Sequence, residues 1–135
     1  MSSPPNTPLS VANVALTEAR VMRGEWLQLL ASGSVTVTDL LVAAADGEGS
    51  PLRRLRLEQV LAAQEEWSIE RARTVVDMTV RDSGNRSKPK GPPTVGWLLD
   101  PRSDGRRVSA FAAAMASLEF DRLDRFPFRP LAVAK

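Results

Sequence analysis

Apolar residues recur along most of this chain at intervals of three and four positions, which is the period of an amphipathic α-helix. In the first such stretch, from about 10 to 31, the pattern runs through Leu16, Ala19, Arg20, Arg23, Trp26, Leu27 and Leu30. Gly33 follows, and glycine often ends helices because it tolerates a positive φ. The pattern predicts a long first helix, for which Thr17 is an alternative N-cap if the helix is shorter.

Capping residues divide the next stretch into three shorter helices. Thr36, with Asp39 three positions later, forms a capping box for a second helix that ends in the segment 46–51, DGEGSP. The segment 52–66 is predicted to be a short basic turn followed by a third helix, and the fourth runs from Ser68 to about Val80. Because only residues 65–67 separate the third helix from the fourth, these two helices are predicted to form a tight helix–turn–helix. The inner face of the fourth helix is predicted at Ile69, Ala72, Val75, Val76 and Thr79.

The second half of the chain has fewer helical signals. Residues 81–93, RDSGNRSKPKGPP, contain too few apolar residues to pack and are predicted to form a basic linker. A short helical turn at 94–99 is predicted to end at Asp100 and Pro101. A last helix is predicted over 104–119, with an apolar face at Val108, Phe111, Ala112, Met115 and Leu118.

The chain is therefore predicted to be all-α, with a long N-terminal helix and a C-terminal helix after a basic linker. Its predicted parts are a disordered N-terminus at 1–9, a helical core at 10–80, the linker at 81–93, a C-terminal helical segment at 94–120 that packs on the core, and an extended tail at 121–135, which contains Pro127 and Pro130. A chain of 135 residues is long enough for one domain with a moderate core.

Composition narrows the possible chemistry. The chain has no Cys and no His, which removes thiol nucleophiles, Ser–His hydrolases and Cys/His metal sites. It has no phosphate-binding glycine loop and no GxSxG motif. The closely spaced acids Glu65 with Glu66, and Glu119 with Asp121 and Asp124, are interpreted as solvated. We therefore expect no enzyme activity, no cofactor and no metal.

The sequence gives no sign of a membrane or export signal. No run approaches the roughly 20 apolar residues that cross a bilayer, and the first ten residues, MSSPPNTPLS, lack the pattern of a signal peptide. We expect a cytoplasmic protein.

Charge is distributed unevenly although the net charge is only +2. Residues 1–80 hold seven arginines and ten acids, whereas 81–107 hold seven basic and three acidic residues. A basic segment attached to a near-neutral body is typical of proteins that bind anionic polymers.

Ten basic residues are candidates for contacts with nucleic acid phosphates. Three lie at the entrance to the third helix, two in the first turns of the fourth, three in the linker, and two at the start of the last helix, where a cation opposes the helix dipole. The alternatives are a solvated helix face with local pairs of Arg73 with Glu70 or Asp77, and a linker that only solubilises the chain. The ten candidates are Arg53, Arg54, Arg56, Arg71, Arg73, Arg86, Lys88, Lys90, Arg106 and Arg107.

The three tryptophans, Trp26, Trp67 and Trp97, are predicted to fill the core near helix ends. Because Trp97 follows the basic linker, its ring is alternatively a stacking surface or wedge for a nucleic acid.

The order of three segments resembles a known family. The segments are LLASGSVTVTDLLVAAA, LRRLRLEQVLAAQ and SIERARTVV, within about Arg20 to Val80. They resemble, in order and spacing, the actinobacterial integration host factor family of nucleoid-associated proteins. The resemblance implies an all-helical domain of the helix–two-turns–helix type that binds and bends duplex DNA with low sequence specificity, and that supports chromosome compaction and site-specific phage integration. It also implies phosphate contacts by Arg53, Arg54, Arg56, Arg71 and Arg73, and localisation to the nucleoid.

The sequence departs from that family at two places. The family has a Pro–x–x–Gly-like turn before the fourth helix, whereas the turn here, 64–68, reads QEEWS and contains two acids. The family's C-terminal motif of arginines followed by Gly-Leu-Gly has no counterpart in 94–99, TVGWLL. The alternative function is a protein-interaction module, for example in a phage-borne relative, whose tail segment 126–131, FPFRPL, binds a protein partner.

Overall fold

The computed structural model describes residues 8–84 and 88–124, with side chains described for 11–84 and 88–118. Within these residues the fold is all-α, as predicted, and its only β-type pairing is a single antiparallel bridge between Arg56 and Thr94. Two 3₁₀ segments, Gly47–Arg54 and Pro101–Ser103, join the helices. The α-helices are α1 (Pro8–Ala31), α2 (Val37–Ala45), α3 (Leu57–Ala63), α4 (Ile69–Asp82), α5 (Val95–Leu99) and α6 (Arg106–Asp124).

Hydroxyl side chains define where three of the helices begin. The predicted capping box is present: the hydroxyl of Thr36 accepts a hydrogen bond from Asp39 N at 3.1 Å, and the Asp39 carboxylate accepts one from Thr36 N at 2.9 Å. Ser68 caps α4 by accepting from Arg71 N at 3.0 Å. Thr94 caps α5 in the same way. Each bond satisfies a backbone donor that the helix itself leaves free.

The ends of the long helices differ from the predicted bounds. Residues 8 and 9, predicted as disordered, lie in the first turn of α1, where the fixed φ of Pro8 suits the N1 position. α6 begins at Arg106, because Asp104 and Gly105 both have positive φ. It continues to Asp124, so 121–124 is helical and not extended. No glycine or proline interrupts the sequence between Gly105 and Pro127. The rest of the predicted disordered terminus and of the tail, 1–7 and 125–135, lies outside the described residues.

The core lies between the six α-helices and the first 3₁₀ segment, each of which contributes at least one buried residue. α4 packs against α3 and α6, α2 packs against the 3₁₀ segment and α5, and α1 packs against the 3₁₀ segment and α3. Fully buried leucines from five elements fill the centre, and they are Leu30, Leu40, Leu52, Leu57, Leu61 and Leu98.

Two predicted inner faces are only partly buried. On α4, Ala72, Val75, Val76 and Thr79 are buried, but Ile69 is 44% exposed at the helix start. On α1, only the C-terminal half packs on the core, since Leu16 is 42% exposed and the side chains of 11–18 are all exposed. A helix face is buried only where a neighbouring element covers it, and the exposure of 11–18 shows that the described residues leave this part of α1 largely uncovered. The described residues contain no helix that is both long and apolar enough to span a membrane.

Candidate nucleic-acid interface

A short backbone pairing joins the two basic regions of the sequence. Leu57 N donates to Pro93 O at 3.0 Å, and Val95 N donates to Leu55 O at 2.8 Å. The residue between each pair, Arg56 on one segment and Thr94 on the other, forms the antiparallel bridge. The end of the linker is thereby fixed beside the start of α3, although 38 positions separate Arg56 from Thr94 in the sequence.

The described part of the linker also packs on α4. Lys88, Pro89 and Pro93 line a shallow depression together with Val76 and Val80. Both prolines are half-buried, whereas the two lysines of the linker, Lys88 and Lys90, are exposed. Lys90 precedes Pro93 by three residues, which limits their separation to about 11 Å. The described part of the linker therefore packs on the molecule, with its two lysines exposed and its end at Pro93 fixed next to Arg56.

Four cations form what we call the basic surface: Arg54, Arg56, Lys88 and Lys90. All four side chains are exposed. Within the described residues, none of them makes an ion pair with a carboxylate. Arg86 lies outside the described residues. A solvated, unpaired cation retains its full capacity to bind a phosphate, and these four side chains lie on the two stretches of chain that the bridge joins.

Arg53 is exposed, but its guanidinium makes hydrogen bonds within the fold. Its Nε donates to Ala44 O at 2.6 Å and its second guanidinium nitrogen donates to Ala45 O at 3.3 Å. These carbonyls belong to the last turn of α2, which has no basic residue of its own. Arg53 therefore serves as a C-terminal cap for α2, supplied from the neighbouring 3₁₀ segment.

Arg107 has a similar internal role at the end of α5. Its side chain is only 13% exposed, its guanidinium lies 4.6 Å from the centre of the Trp97 ring, and one of its nitrogens donates to Trp97 O at 2.7 Å. Asp100 lies 4.0 Å from the same nitrogen. Trp97 is half-buried against the core, as predicted, and the guanidinium stacks on its ring.

The two arginines at the start of α4 also have partners within the fold. Arg71 is half-buried with its guanidinium 4.2 Å from the centre of the Trp67 ring. Arg73 pairs with Glu58 of α3 at 2.8 Å, and not with Glu70 or Asp77, the local partners that the sequence offered as an alternative. The contact between α3 and α4 brings Glu58 to Arg73, and sequence spacing within one helix contains no information about it.

Asp100 organises the turn between α5 and α6. It accepts a backbone hydrogen bond from Arg102 N at 2.9 Å and a bidentate pair from the Arg102 guanidinium, the shorter at 2.7 Å. These hydrogen bonds from the Arg102 side chain and backbone lower the pKa of Asp100 to about 2.

Arg106, one residue before Arg107, is exposed and makes no ion pair with the described residues.

The acidic turn between α3 and α4 lies away from the basic surface. Glu65 and Glu66 are both exposed, and Glu66 has a φ of 68°, a left-handed conformation that glycine adopts more easily. α3 separates this turn from Arg56, and its seven residues span about 10 Å. That separation is close to one Debye length at physiological salt, so the repulsion between these acids and a bound phosphate is strongly screened.

Comparisons with other proteins add no family. No protein-family model, no curated protein and no solved structure matches this chain. The resemblance to the actinobacterial integration host factor family therefore stays a prediction from the sequence.

Within the described residues, no group of three or more acidic side chains is placed to hold a metal ion.

Sequence reasoning also missed the two arginines that cap helices. The sequence held one indication for Arg107. A cation at the start of a helix is unfavourable, which indicates that its side chain interacts with another part of the molecule.

Proposed function

We propose that this protein binds duplex DNA with low sequence specificity and catalyses no reaction. The basic surface makes the contacts, through the phosphate backbone. The observation that carries this proposal is the pairing of Leu55–Leu57 with Pro93–Val95, which fixes the end of the linker that carries Lys88 and Lys90 beside the start of α3. Phosphate contacts position a protein on DNA without reading its sequence, and arginine and lysine are residue types that make them.

Three other arginines outside the basic surface, Arg73, Arg81 and Arg102, each pair with a carboxylate. These three have less free charge to offer a polyanion than the four cations of the basic surface. The packed pair α3–α4 beside this surface is consistent with the helix–two-turns–helix arrangement that the family resemblance implies, and we propose that arrangement together with a nucleoid location.

The alternative function, a protein-interaction module, was based on the segment 126–131, which lies outside the described residues. We favour DNA binding because the basic surface lies on described residues and its four cations are exposed and make no ion pair there.

Fluorescence anisotropy with a labelled duplex of about 20 base pairs at fixed low salt tests the proposal. The variants Arg54→Gln/Arg56→Gln and Lys88→Gln/Lys90→Gln each remove two cations without removing a described contact. Each should weaken binding at least tenfold. Arg20→Gln, an exposed arginine on α1, is the control and should change affinity less than threefold. Wild-type protein that does not bind the duplex, or variants that bind as tightly as wild type, would refute the proposal.

A further inference from the structure

An apolar groove lies between α2 and α6, on residues that the basic surface does not use. Its volume is 520 Å³, and its walls include Leu41 and Val42 from α2, Leu99 at the end of α5, and Val108, Phe111 and Met115 from α6. No charged side chain lines it. Val42 is 68% exposed and Val108 is 38% exposed, so the described residues leave much of this apolar surface in water.

The apolar face of α6 in the structure differs in part from the face that the sequence predicted. The sequence predicted one apolar face for this helix, but the structure divides that face. Phe111 and Ala114 are buried in the core, whereas Val108 and Ala112 are exposed on the groove side. An apolar face of this width is normally covered on both sides.

We propose that the chain's own segment 125–135, RFPFRPLAVAK, occupies this groove. The segment contains Phe126, Phe128, Leu131 and Val133 and no acidic residue. Its prolines favour an extended backbone, which lies in a groove more readily than a helix does. Because it is covalently attached to α6, its effective concentration at the groove is in the millimolar range, which favours it over a second copy at ordinary protein concentrations.

The length of the segment fits the distance it must cover. α6 ends at Asp124, which is about 14 Å along the helix from Met115 and about 24 Å from Val108 at 1.5 Å per residue. An extended chain that turns back at Asp124 advances about 3.3 Å per residue. Phe128 then reaches the level of Met115, and Leu131 reaches that of Val108. Phe128 and Leu131 therefore arrive opposite the two ends of the groove wall.

Disulfide trapping tests this inference, and the absence of native cysteine gives a clean background. Ala112 lines the groove about 18 Å before the end of α6, which is the level that Arg129 reaches. The pair Ala112→Cys/Arg129→Cys should form an intramolecular disulfide under mild oxidation. The matched control is Ala113→Cys/Arg129→Cys, which has nearly the same chain separation but is placed on an exposed side of α6 outside the groove lining.

The expected result is at least tenfold faster intramolecular trapping for the groove pair than for the control pair, measured on non-reducing gels and by mass spectrometry. Replacing Phe126 and Phe128 by Ser in the groove pair should slow trapping to the control rate. Equal rates for the two pairs would overturn the inference and leave the groove to another partner. Intermolecular disulfides formed faster by the groove pair would also overturn it, and would assign the groove to a second copy of the chain. Neither result bears on DNA binding, so the two proposals fail separately.

Discussion

Arg107 lies in the first turn of α6, where the helix dipole makes a positive charge unfavourable, yet its guanidinium is used by a different helix. It donates to Trp97 O near the C-terminal end of α5, where the dipole favours a cation, and it stacks on the ring of the same residue. Arg53 likewise donates a hydrogen bond to a backbone carbonyl in the last turn of α2. From the sequence, both arginines were candidates for phosphate contacts. The sequence shows that a side chain is charged, but it does not show which backbone carbonyl the side chain reaches in the folded protein.

Replacing Arg107 tests its internal role. Arg107→Gln removes a charge-assisted hydrogen bond and a cation–π contact, and we expect it to lower the free energy of unfolding by about 2 kcal/mol. Arg106→Gln makes the same change of charge at the neighbouring exposed position, and should cost less than about 0.5 kcal/mol. Urea denaturation of both variants measures the difference, and equal stabilities would show that the contacts of Arg107 do not stabilise the fold.

Asp100 makes the stability of the α5–α6 turn depend on pH. The folded protein holds the pKa of this carboxyl at about 2, below its usual value of 3.8. The contribution of Asp100 is therefore complete above pH 3.8 and is lost as the pH falls towards 2. Asp100→Asn has no such contribution. We expect the variant to be less stable than wild type at pH 5, and the gap to narrow steadily between pH 4 and pH 2 in urea titrations. A gap that stays constant over this range would mean that the ionised carboxylate is not what stabilises the turn.

At the scale of elements, the sequence predicted best what depends on neighbouring residues. The capping box at Thr36 and the caps at Ser68 and Thr94 are local hydrogen bonds, and they determine where α2, α4 and α5 begin. The segment 46–51, by contrast, was predicted only as the end of α2. It forms most of a 3₁₀ segment that packs against α1, α2 and α5, because Leu52 is fully buried and holds it on the core.

Gly49 shows how closely that segment approaches α2. A Cβ atom at this buried position would collide with the backbone carbonyl of Ala43, which a small rotation of a side chain cannot relieve. We expect Gly49→Ala to destabilise the fold by about 1–3 kcal/mol. Gly47→Ala is the matched control, because nothing lies within 4 Å of its Cβ. Thermal denaturation compares the two, and a Gly49→Ala variant as stable as the control would contradict the close packing of α2 on this segment.

At the scale of the whole molecule, the arrangement of the basic residues could not be predicted. The sequence indicated two separate candidate surfaces, one at the starts of α3 and α4 and one in the linker and last helix. The fold joins part of each through the bridge between Arg56 and Thr94. It also removes Arg53 and Arg107 by engaging them as caps. The groove between α2 and α6 was unpredictable for the same reason, since it depends on which helices become neighbours.

The salt dependence of duplex DNA binding tests the central claim most directly. Neutralising one phosphate lowers the slope of log affinity against log salt by about 0.9, so four contacts from the basic surface give a slope of about −3.6. Removing either pair of cations, Arg54 with Arg56 or Lys88 with Lys90, should bring that slope to about −1.8. Arg20→Gln should leave it unchanged. A slope near zero for the wild-type protein, or a slope that neither double variant alters, would contradict the proposal that these four cations bind the phosphate backbone.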